Sequence, residues 1–235
     1  VSKSDIPEAE ARAGSVPYLR FLADLHQEFA PRGYVEIGVR YGSSLQLAFC
    51  PAIGIDPAAA IARPLPETTR VIHKTSDAYF ARGRGFRGFT ADLAFIDGMH
   101  LFEFALRDFI ALERRMPACG LIIMDDICPN HPLQAARERE TQAWTGDVWK
   151  MVPCLRKYRP ELSLLIVDTN PTGLLLVSGL DPLNRVLSNS YDEILADDLA
   201  GLNRPPPSEV LLRDGVIYPY DVRVAETLVG LMEAR

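Results

Sequence analysis

Apolar runs long enough to cross a membrane are missing from this 235-residue chain; none approaches the ~20 residues that a bilayer-spanning helix needs. Cysteine is scarce. Cys50, Cys119, Cys128 and Cys154 are widely spaced and form no C-x-x-C, which argues against a disulfide scaffold or a zinc site and for thiols in a reducing cytosol. A basic surplus is missing too. Twenty-five Lys and Arg stand against 31 Asp and Glu, a net charge of −6, so the chain as a whole lacks the positive surface that releases counterions from nucleic acid. Residues 1–17 lack the charged-then-apolar pattern of a secretory signal, and no internal repeat or low-complexity tract stands out. These absences predict a cytoplasmic protein that partners neither membrane nor nucleic acid.

What is present is an ordinary globular composition, 48% hydrophobic and 24% charged, in a length that suits a single α/β-sized domain. Tyr18, Phe21, Leu22, Leu25 and Phe29 recur at helical spacing within an N-terminal extension, 1–31, and predict a helix ending before Pro31. Short apolar runs at 34–39, 52–56, 70–73, 92–97 and 121–126 predict strands of a parallel sheet covered on both faces. Between the last two, Phe102, Ala105, Leu106, Phe109 and Ile110 form the stripe of a helix over 101–116. A further helix is expected at 147–158, with Asp147 as its cap. Strands at 162–168 and 173–179, joined by "TNPT", predict an antiparallel pair closing one edge. The expected fold is α/β and Rossmann-like: a seven-stranded, mostly parallel sheet with helices on both faces and a reversed C-terminal strand hairpin, its core over 34–180. In the C-terminal extension, 181–235, a helix near 190–202 precedes a break at "RPPPSE" and an amphipathic helix on Val224, Leu228 and Leu231. That apolar helix would suit a homo-oligomer.

Chemistry concentrates at the predicted strand ends. "YVEIGVRYGSS" places Glu36-x-Gly38-x-x-x-Gly42-x-Ser44 between a strand and a helix expected from about Ser43. Glycines let the backbone turn sharply and come close to a ligand, and a helix N-terminus offers free N–H groups. Asp56 ends the next strand, where an acid can accept both hydroxyls of a ribose. Asp97 closes "DLAFID", and Asp125 and Asp126 close "LIIMDD". If these strands are neighbours, about 4.8 Å apart, the three carboxylates converge. Such a cluster is best neutralised by a hard divalent cation, and oxygen ligands favour Mg²⁺, Mn²⁺ or Ca²⁺. His100 follows Asp97 on the same rim, where a neutral imidazole could take a proton from a bound hydroxyl.

"EIGVRYGSS" followed by "IGID" resembles the cofactor half of class I S-adenosylmethionine-dependent methyltransferases. The form E-x-G-x-x-x-G-x-S is similar to that of the metal-dependent O-methyltransferases, including the catechol type. "FIDGMHLFEFALRDFIALERRMPACGLIIMDDICP" resembles the branch acting on macrolide sugars and other natural products. The resemblance implies that Glu36, Gly38, Gly42 and Ser44 face the methionine end of S-adenosylmethionine, Asp56 its ribose, and Ser76 and Asp77 its adenine. It also implies that Asp97, Asp125 and Asp126 bind Mg²⁺, Asp97 flanking the cofactor as well, and that His100 is the general base. The acceptor would be a small-molecule hydroxyl. Asp-Asp departs from the Asp-Asn of the catechol enzymes and leaves open whether both acids bind metal. A nucleotide-dependent oxidoreductase could share the glycine-loop logic, although its G-x-G-x-x-G spacing is absent. A non-catalytic cofactor-binding accessory protein is the other alternative. His26 and His73 read as structural, His131 as a solvated loop residue that could line the pocket, Trp144 and Trp149 as packing side chains or an apolar wall for a substrate, and "ARERE" (136–140) as a solvated face or lid.

Overall fold

The computed structural model describes residues 6–81, 83, 85–86, 88–196 and 204–235. After a 3-10 turn at Pro7–Glu10, the chain runs through β1 (Val16–Pro17), α1 (Tyr18–Phe29), β2 (Tyr34–Ile37), β3 (Ala52–Ile55), β4 (Thr69–Ile72) and α2 (Ser76–Phe80). It continues through β5 (Leu93–Ile96), α3 (Phe102–Glu113), β6 (Leu121–Met124), α4 (Met151–Tyr158), β7 (Ser163–Val167), β8 (Thr169–Asn170) and β9 (Leu174–Ser178). Four helices follow: α5 (Val186–Asn189), α6 (Tyr191–Ala196), α7 (Ser208–Leu211) and α8 (Val222–Glu233). A seven-stranded sheet has the order β4-β3-β2-β5-β6-β9-β7, with β9 antiparallel to both of its neighbours. The mostly parallel sheet and its reversed hairpin are as the sequence predicts.

Register positions the site. Ile37 pairs with Ile55 and Ile96, and Ile96 with Met124, so the ends of four adjacent strands are level. The chain order reverses direction between β2 and β5, the switch point beyond whose strand ends open α/β sheets bind ligands. Alternate residues feed two apolar layers. Val35, Ile37, Ile96 and Met124 pack with α3 and α4, whereas Tyr34, Phe95 and Ile123 pack with α1 and α8.

The helix expected from Ser43 does not form. A single 3-10 turn, Leu45–Leu47, lies there, because Pro51 precedes β3 at once and residues 43–50 must both turn and return. Leu45 is fully buried and, with Val39, fills the space that a side chain on Gly54 would take. The terminal segments clasp the core. Arg213 donates to Asp168 Oδ1 at 2.7 Å and to the Ala13 carbonyl, Asn130 Oδ1 and the Pro171 carbonyl at 3.0 Å each. The helix expected near 190–202 is seen as α6, and its remainder, 197–202, lies outside the described residues.

Candidate functional site

A cleft of about 700 Å³ opens over the level strand ends. Gly38, Asp56, Ser76, Asp77, Asp97, His100, Asp125 and Asp126 all line it. Gly38 has φ +87°, and a Cβ there would collide with the Asp97 carbonyl, so only glycine lets the exit of β2 pass that of β5. Asp56 holds the loop after β2. Its Oδ2 accepts from the backbone N–H of Val39 at 2.9 Å and Arg40 at 2.7 Å, and its Oδ1 from Ala58 at 2.7 Å. Three of a carboxylate's roughly four lone-pair sites are thus taken, which leaves room for one ribose hydroxyl rather than the two expected.

Glu36, Gly42 and Ser44 do not line the cleft. Strand alternation carries Glu36 to the Tyr34 side of the sheet, where it is fully buried. There it accepts from Tyr34 Oη at 2.7 Å and Ser44 Oγ at 2.8 Å. Burial pushes its carboxyl up to about 8, against the pull of those two hydroxyls. Glu36 and Ser44, expected at the methionine end, support the loop from below, and Gly42, expected there too, packs against Ile61 and Leu65.

Asp97, His100 and Asp126 bring their ligand atoms within 4.8 Å of one another. His100 bridges the acids, with Nε2 3.3 Å from Asp97 Oδ1 and Nδ1 2.8 Å from Asp126 Oδ2. Nδ1 also lies 3.1 Å from the Trp144 carbonyl, and the ring stacks on the Trp144 indole at 5.2 Å and 5°. Both nitrogens face acceptors, so both carry protons. Burial disfavours the charged ring, yet Asp126 and Asp97 together raise its pKa well above the ordinary value. The neutral imidazole expected from the sequence is, in this arrangement, an imidazolium. Asp125 stands apart. Its Oδ1 accepts from the Asp126 N–H at 2.8 Å and from Thr172 Oγ1 at 3.2 Å, turned away by the left-handed backbone of Asp126 at φ +65°. Of the adjacent acids, only Asp126 joins the cluster among the described residues. Burial, then the charges of Asp126 and Asp97, hold the Asp125 carboxyl well above the usual range.

Asp147, read from sequence as the cap of the helix it precedes, caps a different one. Its Oδ1 accepts from the Phe102 N–H at the start of α3 at 2.7 Å, while Oδ2 meets Arg137 at 2.8 Å and the buried Lys150 at 2.9 Å. The segment 127–147 is thereby locked over His100. Gln134 fastens it to the N-terminal segment by donating to the carbonyls of Ala9 at 2.9 Å and Ala11 at 2.7 Å. This cover brings Arg12, Arg139 and Trp144 to the cleft, none of them given a site role beforehand except Trp144 as a weaker candidate wall. Tyr18 and Asp108 also line the cleft; both sit in helical stripes or acidic helix positions that mark packing or solvation as readily as function. Burial pushes the Asp108 carboxyl up to about 7, opposed by a hydrogen bond from Ser76. His131 does not line the cleft; its Nδ1 accepts from the Leu133 N–H at 3.2 Å.

The cleft lies at the switch point of a Rossmann-like, mostly parallel sheet. Residues 35–127 match the methyltransferase domain family, the stretch from β2 past β6 that holds the aspartates and histidine of the cluster. A Bacillus cereus O-methyltransferase solved in complex with SAH is similar at 16% identity and TM-score 0.51, over 68% of this chain and 79% of that one. An SAH-bound Podospora anserina methyltransferase is similar at 13% identity and TM-score 0.52, over 70% of this chain and 78% of that one. No curated protein sequence matches. The matched domain agrees with the class that the sequence resembles, and the solved structures share its fold.

Proposed function

We propose that this protein is an S-adenosylmethionine-dependent O-methyltransferase that works with a hard divalent cation, Mg²⁺, on a hydroxyl of a sugar or natural-product-like small molecule. The observation that carries the reading is the pairing of Asp97 and Asp126 around His100 beside the loop after β2. Two carboxylates held apart by an imidazolium have the donor chemistry of a hard-cation site whose place a protonated ring now takes. Asp97 and Asp126 would hold the cation, with Asp125 behind them against Thr172. When bound, it would supply a Lewis acid that acidifies a hydroxyl and fixes its orientation. S-adenosylmethionine, along Gly38, Asp56, Ser76 and Asp77, would supply a methyl group already activated on sulfonium sulfur.

The remaining work falls to this chain. With the two acids engaged elsewhere, His100 Nε2 loses its acceptor and its proton, and becomes a base on the same rim. Trp144 fixes the ring plane, and Asp147 fixes the start of α3 behind it. Gly38 keeps the floor open. Positioning by these groups is the main contribution, because proximity alone can remove several kcal/mol of barrier, on the order of 7–11. A cytoplasmic setting and self-association through α8 belong to the same proposal; no helix among the described residues is long and apolar enough to cross a membrane.

The test is methyl transfer from labelled S-adenosylmethionine to a panel of polyhydroxylated acceptors. Exhaustive chelation should abolish transfer while S-adenosylhomocysteine still binds, and Mg²⁺ should restore it. Full activity after chelation removes the metal from the mechanism; failure to bind S-adenosylhomocysteine removes the cofactor.

A further inference from the structure

The cleft carries charges of both signs. Its floor holds Asp97, Asp125 and Asp126 with Arg40 beside them, and its cover presents two further guanidiniums from separate segments, Arg12 near the N-terminus and Arg139 in the segment 127–147. Both arginines are exposed. Arg12 makes no side-chain hydrogen bond among the described residues. Arg139 spends two donors on the carbonyls of Thr141 at 3.3 Å and Gln142 at 2.9 Å, which leaves further N–H groups of its guanidinium for a ligand.

The chain already sets one carboxylate between them. Glu10 accepts from the N–H groups of Gln142 at 2.9 Å and Ala143 at 3.1 Å, and those bonds, then Arg12 and Arg139, hold its carboxyl below the usual range. One anion against two cations leaves a positive surplus at the mouth. Nothing in the fold needs this surplus: Glu10 is anchored by backbone amides, and Gln134 already fastens the two segments together.

The span is set by one aromatic ring. The Trp144 indole stacks on His100 at 5.2 Å and lies 5.9 Å from the Arg139 guanidinium carbon. His100 and Arg139 therefore flank the same indole, no more than about 11 Å apart. We propose that the acceptor carries an anionic group, carboxylate or phosphate, besides the hydroxyl that is methylated, and that Arg12 and Arg139 grip it. This rests on the methyltransferase reading for the identity of the hydroxyl but not for the anion site. Guanidinium recognises both groups through the same forked, charge-assisted hydrogen bonds.

The experiment is titration calorimetry with methyl glucoside, methyl glucuronide and glucose 6-phosphate, with and without Mg²⁺ and S-adenosylhomocysteine. The charged sugars should bind about tenfold or more tightly than the neutral one, as charge-assisted hydrogen bonds allow, and the preference should shrink as salt is raised. The stronger of the two charged sugars tells carboxylate from phosphate. Arg12→Ala should reduce the preference, and Arg12→Ala with Arg139→Gln should erase it. Equal affinity for the three sugars, or an intact preference in the double variant, overturns the proposal. Cofactor binding is scored separately, so a protein that prefers anions yet binds no S-adenosylhomocysteine overturns the methyltransferase reading alone.

Discussion

Individual side chains here serve the loop as much as the ligand, and Glu36 shows it best. Burial raises its pKa to about 8, so the folded chain keeps a proton that the unfolded chain releases near ~4.3. Its contribution to stability is complete below that lower value and is lost as pH rises through about 8. Glu36→Gln keeps partners for Tyr34 and Ser44 and removes the ionisation. Urea denaturation at pH 5, 7 and 9 should show a flatter profile and a variant more stable than wild type at pH 9; parallel profiles would count against it. Asp56→Ala removes acceptors from three loop amides. We expect S-adenosylhomocysteine affinity to fall by ~1.5–3 kcal/mol, the scale of hydrogen bonds to a charged group; unchanged affinity by calorimetry in a folded protein would sink the assignment. For His100→Ala the expected loss is ~10²–10⁴-fold in single-turnover rate with cation and cofactor still bound. Asp126 and Asp97 raise the pKa of the ring, so the wild-type rate should rise with pH. That limb should move to lower pH as Mg²⁺ is added and be absent from the variant.

Elements were legible where one periodicity governs them. The runs ending at Ile37, Ile55, Ile96 and Met124 are strands because they are short and apolar, and their level ends follow from parallel pairing. The turn after Gly42 was misread because glycine-then-helix is the usual sequel to such a loop, whereas here Pro51 and β3 arrive too soon. The segment 127–147 was illegible for a different reason. It has no repeating pattern, and its structure depends on side chains reaching distant backbone, such as Gln134 to Ala9 and Asp147 to Phe102. Asp147→Ala should cost about 3–5 kcal/mol, because it strips the anion from beside buried Lys150 and Arg137. Asp147→Asn, which can still accept from Phe102, should cost less. Chemical denaturation of the two variants side by side checks this; equal losses would show that the charge, not the cap to α3, carries the effect.

At the scale of the whole molecule, the sheet sets three aspartates together in a chain of net charge −6, and the folded state bears their repulsion. Burial raises the pKa of Asp97, and burial with its acidic neighbours that of Asp125, while the acids raise His100. Every one of these raised groups favours the protonated fold, so the stability they contribute is lost as pH rises. A cation that replaces the protons should therefore raise the melting temperature more at pH 8.5 than at pH 6, since protons compete for the same donors. Calorimetric scans with and without Mg²⁺ test it, and a larger effect at pH 6 would refute the site.

His100 and Asp126 both adopt left-handed backbone, φ +56° and +65°. Histidine and aspartate tolerate that region better than most residues, yet each still pays conformational energy there that glycine would not. Replacing both with glycine should give a more stable chain than replacing both with alanine, and both should be inert. A selection for stability alone would drift these two positions toward glycine and lose the site, so a screen for hardier variants of this protein has to be read out on turnover.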